Sequence, residues 1–158
     1  METILIGKIV NTFGIKGMLK VNSTFEMKEK AFVKNNKIII NDNFYLITES
    51  KFHKNNYLIE INNIKDINLV LNFVNQDVYI NRKELKLSDN EYLNNDLLDL
   101  EVYDKDNLIG KVTDFISGIN PLIKVNNQFY IPLKGDFIIN INFKNKIIKC
   151  HNLKGLML

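Results

Sequence analysis

The chain has 158 residues, 46% hydrophobic and 25% charged, which is enough apolar content for one ordinary core or two small ones and argues against disorder. Its 21 basic and 18 acidic side chains leave a net charge of +3, too small an excess for a protein held to nucleic acid mainly by counterion release. The lone cysteine, Cys150, excludes an intrachain disulfide, and no apolar run nears the roughly 18 residues that span a bilayer.

The opening "METILIGKIV" carries Glu2 and Lys8 within its apolar run and has no basic segment followed by a cleavage site. A secretory leader is therefore not expected, and the expected location is cytoplasmic. Strands are expected at "TILIGKIV" and "MLKVNS", then at "NKIIIN", "FYLITESKF" and "YLIEIN". Asp42-Asn43 and "HKNN" supply turns between the last three, because Asn and Asp tolerate positive φ. In "KDINLVLNFVNQ" the residues Ile67, Val70, Leu71 and Val74 fall at i, i+3, i+4 and i+7, the stripe of a short amphipathic helix. Asp66 is its expected N-cap and Asn75 its left-handed stop. A strand at "DVYIN" follows.

The polar stretch "RKELKLSDNE" then marks a boundary. Beyond it strands are expected at "LEVYD", "LIGKVTDFI", "LIKVN", "QFYIP", "DFIINI" and "KIIKC", with short connections such as "KDN", "NN" and "FKN". The expected class is all-β: two small barrels joined by a short linker, with one short helix near the end of the first.

Motifs of catalysis are scarce. Gly7-Lys8 is followed by Ile9 in mid-strand, so the stretch lacks the Gly-Lys-Ser/Thr of a phosphate loop. Gly14 and Gly17 read as structural glycines of a tight β-corner, which leaves Lys16 at its tip as a candidate RNA contact. His53 reads as a surface histidine in a turn. Cys150 and His151 are neighbours on a strand, so their side chains point to opposite faces and form no nucleophile–base pair. The acids Asp96, Asp99, Glu101, Asp104 and Asp106 cluster in sequence, yet acids are common in turns and at strand edges, and no His, Cys or Asp spacing suits zinc. No cofactor is expected. Tyr92 follows the polar stretch and lies outside any strand, where it serves as either a structural staple or an interface anchor.

These residues together resemble the RimM family of ribosome maturation factors. The family's N-terminal pattern has a glycine and lysine in the first strand, then His-Gly-x-x-Gly and a Lys-Val strand. Here it reads Gly7-Lys8, Gly14-Ile15-Lys16-Gly17 and Lys20-Val21, with Phe13 where the histidine is usual. The second half is similar to a PRC barrel in "DLLDLEVYDKDNLIGKVTDFI", "INPLIKV", "YIPL" and "GLML". Asn142 replaces a family aspartate, and Leu93 stands where the second of two tyrosines is usual.

The resemblance implies a RimM N-terminal barrel over 1–84, a linker over 85–90 and a PRC barrel over 91–158. It implies a non-enzymatic assembly factor, acting as a monomer, that binds the immature 30S small ribosomal subunit. There it would aid 16S rRNA processing and head maturation, with 16S rRNA nearby and no membrane involved. Tyr92 and Leu93 would dock ribosomal protein nineteen of the head. Two other readings stay open at this point: an RNA binder using a barrel face, and a small hydrolase using the acids around Asp99.

Overall fold

Each expected β-run becomes a strand in the computed structural model, which describes residues 2–158. Between Asn90 and Glu91 the chain divides into two compact units. The first contains β1 (Thr3–Phe13), β2 (Met18–Asn22), β3 (Lys37–Ile40), β4 (Asn43–His53), β5 (Asn56–Ile61) and β6 (Asp77–Asn81). They close into a ring in the order β1-β2-β5-β4-β3-β6, every pair antiparallel. Closure leaves no free edge to pair with another chain. Side chains alternate across the wall, so that Leu19, Val21, Ile38, Ile40, Val78 and Ile80 fill the interior. Register shifts between Leu5 and Gly7, Ile9 and Asn11, and Ile47 and Glu49 bend the two long strands, as bulges do, so that each serves two neighbours.

The hairpins show what the asparagines do. Asn41–Asp42, Lys54–Asn55 and Asn126–Asn127 each put two consecutive residues at positive φ, the turn geometry whose twist matches paired strands. The first of these lies one residue earlier than the expected Asp42-Asn43, because Asn43 already begins β4. Among the described residues, nine of the fifteen non-glycine positions at positive φ are Asn, whose short polar side chain tolerates that region.

The segment 66–74 is not an α-helix. It forms two 3₁₀ turns, Ile67–Leu69 and Leu71–Phe73, interrupted at Val70 with φ −122° and ψ 0°. Its backbone bonds run three residues back (Leu69 to Asp66, Val70 to Ile67, Phe73 to Val70), and of the four stripe residues only Val70 is buried. The end signals are nevertheless in place. The Asp66 carboxylate accepts from the Asn68 N–H at 2.9 Å, and Asn75 sits at φ 73°. The α-helix of the first unit is instead α1 (Lys28–Ala31), a single turn without apolar periodicity. The polar stretch after β6 also begins as structure. Arg82–Leu85 is a 3₁₀ turn capped by Asn81, and Leu85, at the start of the expected linker, is buried.

The second unit holds β7 (Glu101–Asp104), β8 (Asn107–Ile116), β9 (Leu122–Val125), β10 (Phe129–Pro132), β11 (Ile138–Asn142) and β12 (Ile147–Cys150). Their order is β10-β9-β8-β7-β12-β11, a half-barrel rather than a closed ring. The β7–β12 pair is parallel, so it cannot come from a hairpin. Val102, Val112, Ile123, Ile131, Ile148 and Cys150 form the centre of its core. Gly110 lets Asn126 close over β8: the Asn126 side chain accepts from Lys111 N at 3.0 Å and donates to Ile109 O at 3.1 Å, in space that a Cβ at position 110 would occupy.

One buried charge gives the first unit a pH dependence. Glu60 is 8% exposed, accepts from the Thr48 hydroxyl at 2.7 Å and pairs with Lys65 at 3.1 Å. The Thr48 hydrogen bond, aided by Lys65, holds its carboxyl below the ordinary value of 4.5 despite the opposing effect of burial. A depressed folded pKa contributes stability that is present above the unfolded value and lost as pH falls through the folded one. Chemical denaturation of the wild type should therefore show falling stability below about pH 4.5. Glu60→Gln should make that acid limb shallower.

Candidate functional site

Two places concentrate the residues singled out in sequence, one in each unit. In the second, Tyr92 and Leu93 lead into a 3₁₀ turn, Asn94–Leu97. Asp96 locks this entry. Its carboxylate accepts from Leu93 N at 2.8 Å while its own N–H donates to Leu93 O at 2.8 Å. The reciprocal pair resembles a capping box in satisfying a donor at each end. Leu93 is only 4% exposed, so it anchors the entry from beneath and presents little surface. The Tyr92 ring lies 5.1 Å from that of Phe143, tilted by 44°, and is half-buried. Burial pushes its phenol pKa above the ordinary 10.0, so the hydroxyl stays a neutral donor. Phe143 follows Asn142, whose side-chain oxygen accepts from Asn145 N at 3.0 Å. An aspartate would supply the same acceptor there, so this departure from the family pattern leaves the turn intact.

Three of the clustered acids have structural places. Asp96 clamps Leu93, Asp104 accepts from Leu153 N at 3.1 Å, and Asp99 occupies a turn position at φ 66°. Cys150 is fully buried, and burial, with a smaller contribution from Asp104, pushes its thiol up to about 11. The His151 ring bonds the Asp136 backbone carbonyl. A thiol of that acidity is a core side chain rather than a nucleophile. Among the described residues no group of three or more His, Cys, Asp or Glu gathers to hold a metal.

In the first unit, "GIKG" forms a four-residue turn closed by Gly17 N donating to Gly14 O at 3.2 Å. Ile15, 87% exposed, and Lys16 occupy its outer corner. Gly14 and Gly17 adopt φ 75° and 72°, but their surroundings differ. A Cβ at Gly14 would meet nothing within 4 Å, whereas one at Gly17 would lie 2.9 Å from the Ile67 backbone. The corner is thus seated on the first 3₁₀ turn.

Beside the corner, Phe13 and His53 place their rings 5.2 Å apart, and Lys51 Nζ stands 5.9 Å from the Phe13 centroid. His53 is the last residue of β4, not a free turn residue. Residue-by-residue reading did not bring these three together, since 40 positions separate Phe13 from His53. A usable signal lay in composition: residues 11–22 and 51–58 carry lysines and no carboxylate.

Comparison with known proteins adds a third line. Residues 4–85 match the model of the RimM N-terminal domain. The ribosome maturation factor RimM of Oenococcus oeni is 31% identical over 99% of this chain and 98% of its own. That of Buchnera aphidicola from Schizaphis graminum is 35% identical over 94% of this chain and 93% of its own. A crystal structure from Pseudomonas aeruginosa, provisionally described as a 16S ribosomal RNA processing protein RimM, aligns over 95% of this chain and 97% of that one. Its identity is 18% and its TM-score 0.48.

Proposed function

Because this chain belongs to the RimM family of non-enzymatic ribosome maturation factors, we propose that it binds the immature 30S subunit in the cytoplasm and aids 16S rRNA processing and maturation of the subunit head. The observation that carries this reading is a relative 31% identical along nearly the whole of both chains. Residues 1–84 act as the RimM N-terminal barrel and 91–158 as the PRC barrel, with 85–90 between them. The change from one compact unit to the next at Asn90 and Glu91 supports that division. Tyr92 contacts ribosomal protein nineteen of the head, with Leu93 beneath as its anchor. Support comes from the half-buried ring on Phe143 and the Leu93–Asp96 clamp, which hold an aromatic anchor in place before binding.

Such a factor works by differential affinity, since a ligand shifts a conformational equilibrium only by binding one state more tightly. Co-sedimentation of the full chain with immature and finished small subunits tests this. Tighter capture of immature particles is expected. Equal retention on both would remove the mechanism, and retention on neither would remove the function.

A further inference from the structure

We propose that the outer face shared by the β1–β2 and β4–β5 hairpins is a binding surface for unpaired RNA, with Phe13 and His53 as the stacking platform and Lys16, Lys20, Lys51 and Lys54 as phosphate contacts. The inference deepens the subunit-binding reading and rests on it only for where the RNA comes from. Register places Asn11, Lys20, Leu58 and Lys51 in one row across β1, β2, β5 and β4, so these residues share a face. Leu58 within it is fully buried, which leaves Asn11, Lys20 and Lys51 as the row's accessible members. The Phe13 ring, 38% exposed, joins the two hairpins through His53 and Lys51. Lys16 and Lys54 sit at the two tips, and Ile15 adds exposed apolar area beside Lys16.

Charge selects the partner. Residues 11–22 and 51–58 hold four lysines and no carboxylate, in a chain whose overall excess is only three. The acids nearest the strip are engaged. Asp66, on the segment seated against Gly17, accepts from the Asn68 N–H, while Glu49 and Glu60, paired further along the same face, are held by Lys34 and by Thr48 and Lys65. A cationic strip with aromatic rings among its lysines is the chemistry that holds single-stranded nucleic acid, in which bases are free to stack. A duplex buries the same base faces in its own stack. Few lysines mean few phosphates, which agrees with the modest net charge: four contacts to a single strand give a log–log salt slope of at most about −3.

Fluorescence anisotropy with the full chain and a labelled unstructured RNA of about ten nucleotides tests the surface. Binding should exceed that to a duplex of equal length. Phe13→Ala should weaken it about tenfold with the salt slope unchanged, and Phe13→Tyr should restore it. Lys51→Ala should lower the slope by about 0.7. If Phe13→Ala also lowers the melting temperature, the tip variant Lys16→Ala with Lys54→Asn decides, because both side chains lie in exposed turns and Asn suits the positive φ of position 54. It should lower the slope by about 1.4. Equal affinity for strand and duplex, or affinity indifferent to all three variants, would overturn the proposal. The same preparations sedimented with small subunits separate the two ideas: particle binding without oligonucleotide binding sinks this surface alone.

Discussion

Gly17→Ala should lower the melting temperature of the first unit by ten degrees or more, while Gly14→Ala should cost roughly half as much. Both positions have positive φ, which costs an L-residue about 1–2 kcal/mol. Only at Gly17 does a new Cβ also meet backbone, 2.9 Å from Ile67 N and Cα and 3.0 Å from a Val70 methyl. Backbone cannot rotate aside as a side chain can, so overpacking adds about 1–3 kcal/mol. About 2–5 kcal/mol in total is a large share of the stability of a small unit, and each kcal/mol shifts its melting point by about 4–8 °C. Thermal unfolding of the two variants checks the contrast. Equal losses would mean that φ alone matters and that the corner is not seated on the 3₁₀ turn. A functional loss should accompany the stability loss, because the Gly17 contact also fixes where Lys16 and Phe13 stand.

Tyr92→Ala should weaken capture of ribosomal protein nineteen by about 30-fold or more, the range of an aromatic anchor at the centre of an interface. The same change also costs stability, about 1–2 kcal/mol, because the ring packs on Phe143 in the free chain. Staple and anchor are therefore not exclusive roles at this position. Tyr92→Phe separates them. It keeps the ring contact, so melting should stay within about 0.5 kcal/mol of wild type, while capture should fall by up to about tenfold from the lost hydroxyl bond. Phe143→Ala gives the complement, unseating the ring without removing it. Capture that survives both Tyr92 substitutions would end the docking assignment, leaving family membership untouched.

The candidate sites were legible to different depths. Tyr92 stood out because an aromatic side chain outside any strand, just after a polar stretch, has no core to enter by pattern alone. That Leu93 is buried did not show, since burial of one residue beside a 3₁₀ turn follows from the Asp96 clamp rather than from periodicity. The Phe13–His53–Lys51 cluster left only a compositional trace for a related reason: it exists only because β2 pairs with β5 and so brings two hairpins side by side.

Local physics determined the strands. Alternating β-branched residues and Asn, Asp or Lys turns located all twelve, because pleating and turn geometry depend on neighbours a few residues apart. The apparent helix at 66–74 marks where that reasoning ends. Its spacing suits an α-helix, yet seating against Gly17 accompanies two tighter turns with only Val70 inward. Ring closure through β1 and β6, and the parallel pairing of β7 with β12, were likewise decided by tertiary structure. Those pairings join distant segments, and their stabilisation comes from the core they enclose, which no short window of sequence contains.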